Sequence, residues 1–149
     1  MGPIDIRRAT PVDADRLAAC IQDAYASYTE TIPDLPDVAA DVEQDIANHF
    51  TWVAVLEGEI VGGAIVVLDI PDAQLANIAV AGSAKGRGVG RMLLRHIEQA
   101  CQTLEVQVLK LSTHVNMPDN VAMYEHLGWR ETGRAGSKVH MEKRLSEEP

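Results

Sequence analysis

Lys85-Gly86-Arg87-Gly88-Val89-Gly90-Arg91 decides how this chain is read. Before it, Leu75-Ala76-Asn77-Ile78-Ala79-Val80 has the make-up of a short apolar strand. After it, helical spacing runs from about Val89 to Leu104, with Val89, Met92, Leu93, Ile97, Ala100, Cys101 and Leu104 on a face to be buried. Arg91, Arg95, Glu98 and Gln102 fall on the wet side. Glycines at alternate positions let the backbone turn tightly and come close to a ligand. The first amides of the helix have no internal partner, and the dipole is positive there. Lys85, Arg87 and Arg91 add charge to the same end. A diphosphate suits such a place. The alternative is a flexible turn carrying solvated basic residues. The turn is not a P-loop, since no Gly-Lys-Ser/Thr ends it. The third glycine comes one residue too soon for G-x-G-x-x-G, and no acidic residue ends a following parallel strand about 20 residues on, as a dinucleotide fold wants.

The surroundings are those of an ordinary globular chain. It has 149 residues, a formal net charge of −9, 46% hydrophobic residues and 4% aromatics. One domain over residues 1–149 is expected, with a core of Val, Ile, Leu and Ala. The acidic balance speaks against a nucleic-acid binder. Two cysteines, Cys20 and Cys101, make no secreted disulfide framework, and each lies in an apolar helical pattern. The N-terminus has no basic region followed by an apolar one, and the longest apolar run, Ile60 to Leu68, is broken by Gly62 and Gly63. No signal peptide and no membrane segment are therefore expected, and the cytoplasm is the expected compartment.

The remaining elements follow from periodicity. Ile4 to Arg8 alternates like a strand, and Thr10-Pro11-Val12-Asp13 opens a helix with the makings of a capping box. Leu17, Ile21, Ala24, Tyr25 and Tyr28 continue that helix until Pro33 and Pro36 forbid it. Val38, Val42, Ile46 and Phe50 mark a second, short helix. Thr51 to Glu57 and Ile60 to Asp69 read as a hairpin turning at Gly58-Glu59, and Pro71-Asp72 is a further turn. Val106 to His114 is strand-like, Asn116 to Leu127 a helix capped by Asn116 and stopped by Gly128, and Trp129 to Gly133 and Val139 to Leu145 are closing strands. The order is β-α-α-β-β-β-α-β-α-β-β, an α+β fold.

The two stretches Leu75–Val80 and Lys85–Leu94 together resemble the acetyl-CoA-binding motif of the GNAT superfamily of N-acetyltransferases, Arg/Gln-x-x-Gly-x-Gly/Ala. Lys85 stands where Arg or Gln is usual, keeping the charge without the planar fork. Gly88 and Gly90 match, and Gly82 sits where Pro is common. Asn120-Val121-Ala122-Met123-Tyr124-Glu125-His126-Leu127-Gly128-Trp129 resembles the family's late helix, with Trp129 replacing Phe, and Lys138 to Leu145 its final strand. The resemblance implies a mixed, mostly antiparallel sheet flanked by helices.

It also implies a reaction: transfer of an acetyl group from acetyl-CoA, as cosubstrate, to a primary amine. The amine attacks directly in a ternary complex, without an acyl-enzyme. Such chemistry needs a held thioester, an oxyanion donor, an acid for the leaving thiolate and a route for the ammonium proton. Lys85, Gly86, Arg87, Gly88, Val89, Gly90 and Arg91 would hold the diphosphate. Ile78, Ala79 and Val80 would offer their backbone to the pantetheine arm, and an ordinary buried strand would have the same side chains. Tyr124 is the candidate acid, because a neutral phenol can reprotonate a thiolate; a core aromatic is the other reading. Asn120, one turn earlier, and Tyr124 would also touch the cofactor. Asn77 occupies a position where the family often has a carboxylate, and an amide cannot take the proton. Glu30, Asp34, Asp69 and His114 are the other candidates for a base.

The acceptor is expected over Tyr25 to Asp41, where Tyr25, Tyr28, Glu30, Asp34, Asp37 and Asp41 would attract a cationic small-molecule or peptide amine, or only solubilise a loop. His49, His96, His126 and His140 lack metal-ligand spacing, so no metal is expected. Ser83 lacks a nucleophile elbow. Pairing into a homodimer is compatible with the family, and no residue pattern demands it. Two other readings remain: an acyl-CoA-binding or regulatory module without catalysis, and a domain whose turn holds a different anion.

Overall fold

The computed structural model describes residues 3–29, 41–115 and 118–145. The elements are β1 (Asp5–Arg8), α1 (Ala14–Thr29), α2 (Val42–Asn48), β2 (Phe50–Leu56), β3 (Glu59–Asp69), β4 (Asp72–Val80), α3 (Val89–Thr103), β5 (Val108–His114), α4 (Pro118–His126), β6 (Arg130–Ala135) and β7 (Lys138–Arg144). This is the order expected from the sequence. The sheet runs β1-β2-β3-β4-β5-β7-β6. β4 and β5 pair in parallel, whereas β1–β2, β2–β3, β5–β7 and β6–β7 are antiparallel. The expected mixed, mostly antiparallel sheet is present. The chain divides into two units, Met1–Val66 with Asn77–Ile97, and Val67–Ala76 with Glu98–Pro149.

In the first unit, Thr10 and Asp13 form the expected capping box around a 3₁₀ turn, Pro11–Asp13, that leads into α1. The Thr10 N–H donates to the Asp13 carboxylate at 2.8 Å, and Arg7 grips the same carboxylate with two nitrogens at 2.8 and 3.0 Å. The guanidinium holds the Asp13 carboxyl well below the usual carboxylate range against the opposing effect of burial. Leu17, Ile21, Val42, Val53 and Ala79 form a buried cluster. The adjacent glycines of β3 explain how helices come so close to it. A Cβ at Gly63 would run into the Leu17 side chain, and one at Gly62 would stand 2.8 Å from Val89 Cγ1 and 3.1 Å from the Ala79 carbonyl oxygen. The β2–β3 turn is Glu57-Gly58, not Gly58-Glu59: these two residues have φ of 52° and 81°, and Glu59 already pairs with Leu56. Positive φ at both central positions is the signature of a type I′ two-residue loop, which sets the register.

In the second unit, Leu109, Leu111, Val139 and Met141 are buried on β5 and β7, and Cys101 and Val106 close the end of α3. β5 begins at Val108 rather than Val106, because the Val106 N–H donates to the Cys101 carbonyl at 2.9 Å and finishes the helix. β4 begins at Asp72, earlier than expected, and pairs with Val108 there. Along α3 the buried stripe is Val89, Leu93, Leu94, Ile97 and Cys101, while Met92 and Leu104 are 38% and 39% exposed. Met92 lies at the margin of a stripe that Leu94 widens on its other side, and Leu104 follows the last helical residue, Thr103. Glu98 is not simply wet: it pairs with Lys143 at 2.9 Å. Phe50 belongs to β2 rather than α2, and Val38 and the Asn116 cap lie outside the described residues.

Candidate cofactor site

After β4 the first unit makes a 3₁₀ turn, Gly82–Ala84, and then the glycine-rich turn. The Lys85 N–H donates to the Gly82 carbonyl at 3.3 Å and the Arg87 N–H to the Ala84 carbonyl at 3.4 Å. Gly86 and Gly88 have φ of 84° and 78°, and a Cβ on either would meet nothing within 4 Å. Their glycine identity therefore serves left-handed backbone beside open space, as a backbone that approaches a ligand requires. Gly90 differs. It lies inside the first turn of α3, and a Cβ there would stand at an ordinary 3.7 Å from Val80. Two glycines bend the chain, not three.

The first α-helical bond runs from the Met92 N–H to the Gly88 carbonyl at 3.0 Å. The amides of Val89, Gly90 and Arg91 precede it, so the helix itself offers them no carbonyl. Lys85, Arg87 and Arg91 are exposed around them. The Val89 side chain is buried to 1% and roots the turn in the core; only its amide is available to a ligand. Ala79 is buried too, and Ile78 and Val80 are half-buried. The Tyr25 hydroxyl of α1 donates to the Ile78 carbonyl at 3.4 Å. The sequence offered no sign of this contact.

The second unit carries Asn120 and Tyr124 on α4. Tyr124 is 5% exposed, with its ring tilted 59° to Trp129 at 5.6 Å between centroids. Its carbonyl accepts from the Leu127 N–H at 3.0 Å and the Trp129 N–H at 2.9 Å, and Gly128, at φ 99°, ends the helix. Lys143 Nζ donates to the Leu127 carbonyl at 2.8 Å. Two amides thus hold the Tyr124 carbonyl, and Lys143 holds the end of the helix just after it. Asn120 is half-buried.

Asn77 is half-buried on β4. Of the candidate bases, Asp69 is exposed at the end of β3 and His114 is buried at the end of β5, while Glu30 and Asp34 lie outside the described residues. So do Asp37 and the side chain of Tyr28. Asp41, with Asp15 and Glu43, lines an open groove of about 570 Å³ between α1 and α2. Burial pushes the Cys20 and Cys101 thiols up to about 11, so neither is a thiolate at neutral pH. Among the described residues no three His, Cys, Asp or Glu side chains gather as metal ligands, and no helix is long and apolar enough to cross a membrane.

Residues 17–129 match the family model described as acetyltransferase (GNAT) family. The [ribosomal protein bS18]-alanine N-acetyltransferase of Salmonella typhimurium is 42% identical over 66 residues, which cover 44% of this chain and 43% of that protein. Over its matches to that enzyme and to the rat N-acetyltransferase 8, the chain spans about half the length of the curated relative, 43% and 48%. The fold is that of the PaiA N-acetyltransferase from Thermoplasma acidophilum, crystallised with coenzyme A, at TM-score 0.84 and 17% identity over 96% of this chain and 99% of that one. The ribosomal-protein-S18-alanine N-acetyltransferase from Escherichia coli superposes at TM-score 0.77 and 21% identity, covering 99% and 97%. With the family pattern spanning most of its length, the chain belongs to the acetyltransferase (GNAT) family.

Proposed function

We propose that this protein is an acetyl-CoA-dependent N-acetyltransferase that passes an acetyl group to a primary amine by direct attack. The observation that carries this reading is the turn before α3. Left-handed Gly86 and Gly88 border open space, and the free amides of Val89, Gly90 and Arg91 lie among exposed Lys85, Arg87 and Arg91. Those groups fit a diphosphate. When bound, acetyl-CoA supplies the activated acyl carbon. The backbone of Ile78, Ala79 and Val80 would hold the pantetheine arm, and an amide there would donate to the thioester carbonyl oxygen. Tyr124 would supply the proton for the leaving thiolate, and Asn120 would hold the cofactor. With Asn77 in place of a carboxylate, the ammonium proton leaves by water. The acceptor is a small-molecule or peptide amine; the bS18-alanine acetyltransferase among the relatives favours a peptide amine, and the carboxylates of Asp15, Asp41 and Glu43 favour a cationic one.

Free thiol released from acetyl-CoA across a panel of peptide and small-molecule amines tests the reading. Release above the hydrolytic background is expected with at least one amine class. Coenzyme A binding without release for any amine would support the module without catalysis. Tyr124→Phe should lower kcat about a hundredfold and leave acetyl-CoA binding nearly intact. Unchanged turnover removes Tyr124 as the acid.

A further inference from the structure

We infer that Asp23, on α1, is a positioning residue for the cofactor turn, and that it does there what a proline ring would otherwise do. The Gly82 N–H donates to the Asp23 carboxylate at 2.8 Å, a contact between residues 59 positions apart. Gly82 is the first residue of the 3₁₀ turn that feeds Lys85 to Arg91. The position is shaped for proline. Ala81 has φ −59° and ψ 145°, the extended backbone that a following proline imposes. Gly82 is not among the glycines with positive φ, and the first residue of a helical turn is where a proline fits without losing an internal bond. A Cβ at Gly82 would meet only Asp23 itself, at 3.6 Å. A glycine in this place frees the backbone just ahead of the turn, and the bond to Asp23 takes that freedom away again.

The brace has a second point of support. The Ala81 N–H, one residue back in the chain, donates to the Val61 carbonyl of β3 at 2.8 Å. β3 thus holds Ala81 and α1 holds Gly82, two consecutive residues at the exit of β4. Asp23 is exposed, and what ties it to the turn is the direct acceptance of the Gly82 N–H.

The inference rests on the turn being the diphosphate site, and the test separates the two. Coenzyme A is titrated calorimetrically into the full chain and into Asp23→Ala, Asp23→Asn, Gly82→Pro and the Asp23→Ala/Gly82→Pro double variant. Asp23→Ala should bind about tenfold more weakly, because a charge-assisted bond that orders the turn is lost. Asp23→Asn keeps an acceptor oxygen and should retain most of the affinity. Gly82→Pro puts its Cδ where the N–H now meets the Asp23 carboxylate, so the exposed Asp23 side chain turns aside; this variant should bind like the parent, and in that background Asp23→Ala should cost nothing. A purely structural role for Asp23 would lower the melting temperature equally in both backgrounds and not be rescued by proline. Unchanged binding in Asp23→Ala, or the same loss with and without Gly82→Pro, overturns the inference. A parent protein that takes up no coenzyme A, or an Arg87→Ala/Arg91→Ala variant that binds it undiminished, overturns the site itself.

Discussion

Gly62-Gly63 in β3 and Gly86/Gly88 ahead of α3 are two glycine pairs in one unit with opposite reasons for being glycine. At the first pair a side chain has no room: Leu17, Val89 and the Ala79 carbonyl already fill the place of a Cβ. At the second pair a side chain has unlimited room, and the backbone is left-handed instead. Crowding marks a packing constraint between elements. Open space beside left-handed backbone by itself marks a turn, as it also does at Gly58 and Gly136. What sets Gly86 and Gly88 apart is their place just ahead of a helix N-terminus, among exposed Lys85, Arg87 and Arg91.

Substitutions sharpen the contrast. Gly63→Ala should cost about 3 kcal/mol, lowering the melting temperature by about 10 °C, because Leu17 and the strand must move apart. Coenzyme A affinity, measured well below the melting temperature, should hardly change. A melting temperature equal to the parent's would show that Leu17 yields freely. The Arg7–Asp13 pair is the polar counterpart of that crowding, and Asp13→Asn should cost about 2 kcal/mol at pH 7. Because the folded carboxyl titrates below its unfolded value of about 4, the stabilisation is complete above that pH. It is lost as pH falls from there through the lowered folded value, so the stability gap between parent and Asp13→Asn should close in acid. A gap independent of pH from 7 to 3 contradicts the assignment. Gly88→Ala should reverse the pattern of Gly63→Ala. Left-handed strain costs only about 1 kcal/mol of stability, whereas coenzyme A should bind about tenfold more weakly.

The division also explains what could be read in advance. The turn, the amphipathic α3 and the element order were legible because their signals are local: a glycine pattern, a 3.6-residue stripe, a proline. The Thr10–Asp13 capping box was legible for the same reason, its partners being three residues apart. Gly62-Gly63 registered only as a break in an apolar run, since the side chain that demands Gly63 belongs to Leu17, on another element. The hairpin turn fell one residue away from its expected place, because a Glu at φ 52° is an unusual occupant. Asp23 carried no signal at all; its partner is 59 residues away and is a backbone amide. Spacing could place Tyr124 on α4 and left burial as a core aromatic open, but it could not name Trp129 as the ring beside it or Lys143 as the contact that fixes the helix end.

The bare turn as a diphosphate cradle is the central claim, and amide-resolved NMR addresses it most directly. Coenzyme A added to the ¹⁵N-labelled protein should shift the backbone resonances of Gly86, Gly88, Val89, Gly90 and Arg91 in a saturable way, with Gly58 and Gly136, left-handed glycines of other turns, unmoved. Saturable binding that leaves the Gly86–Arg91 amides unchanged would contradict it.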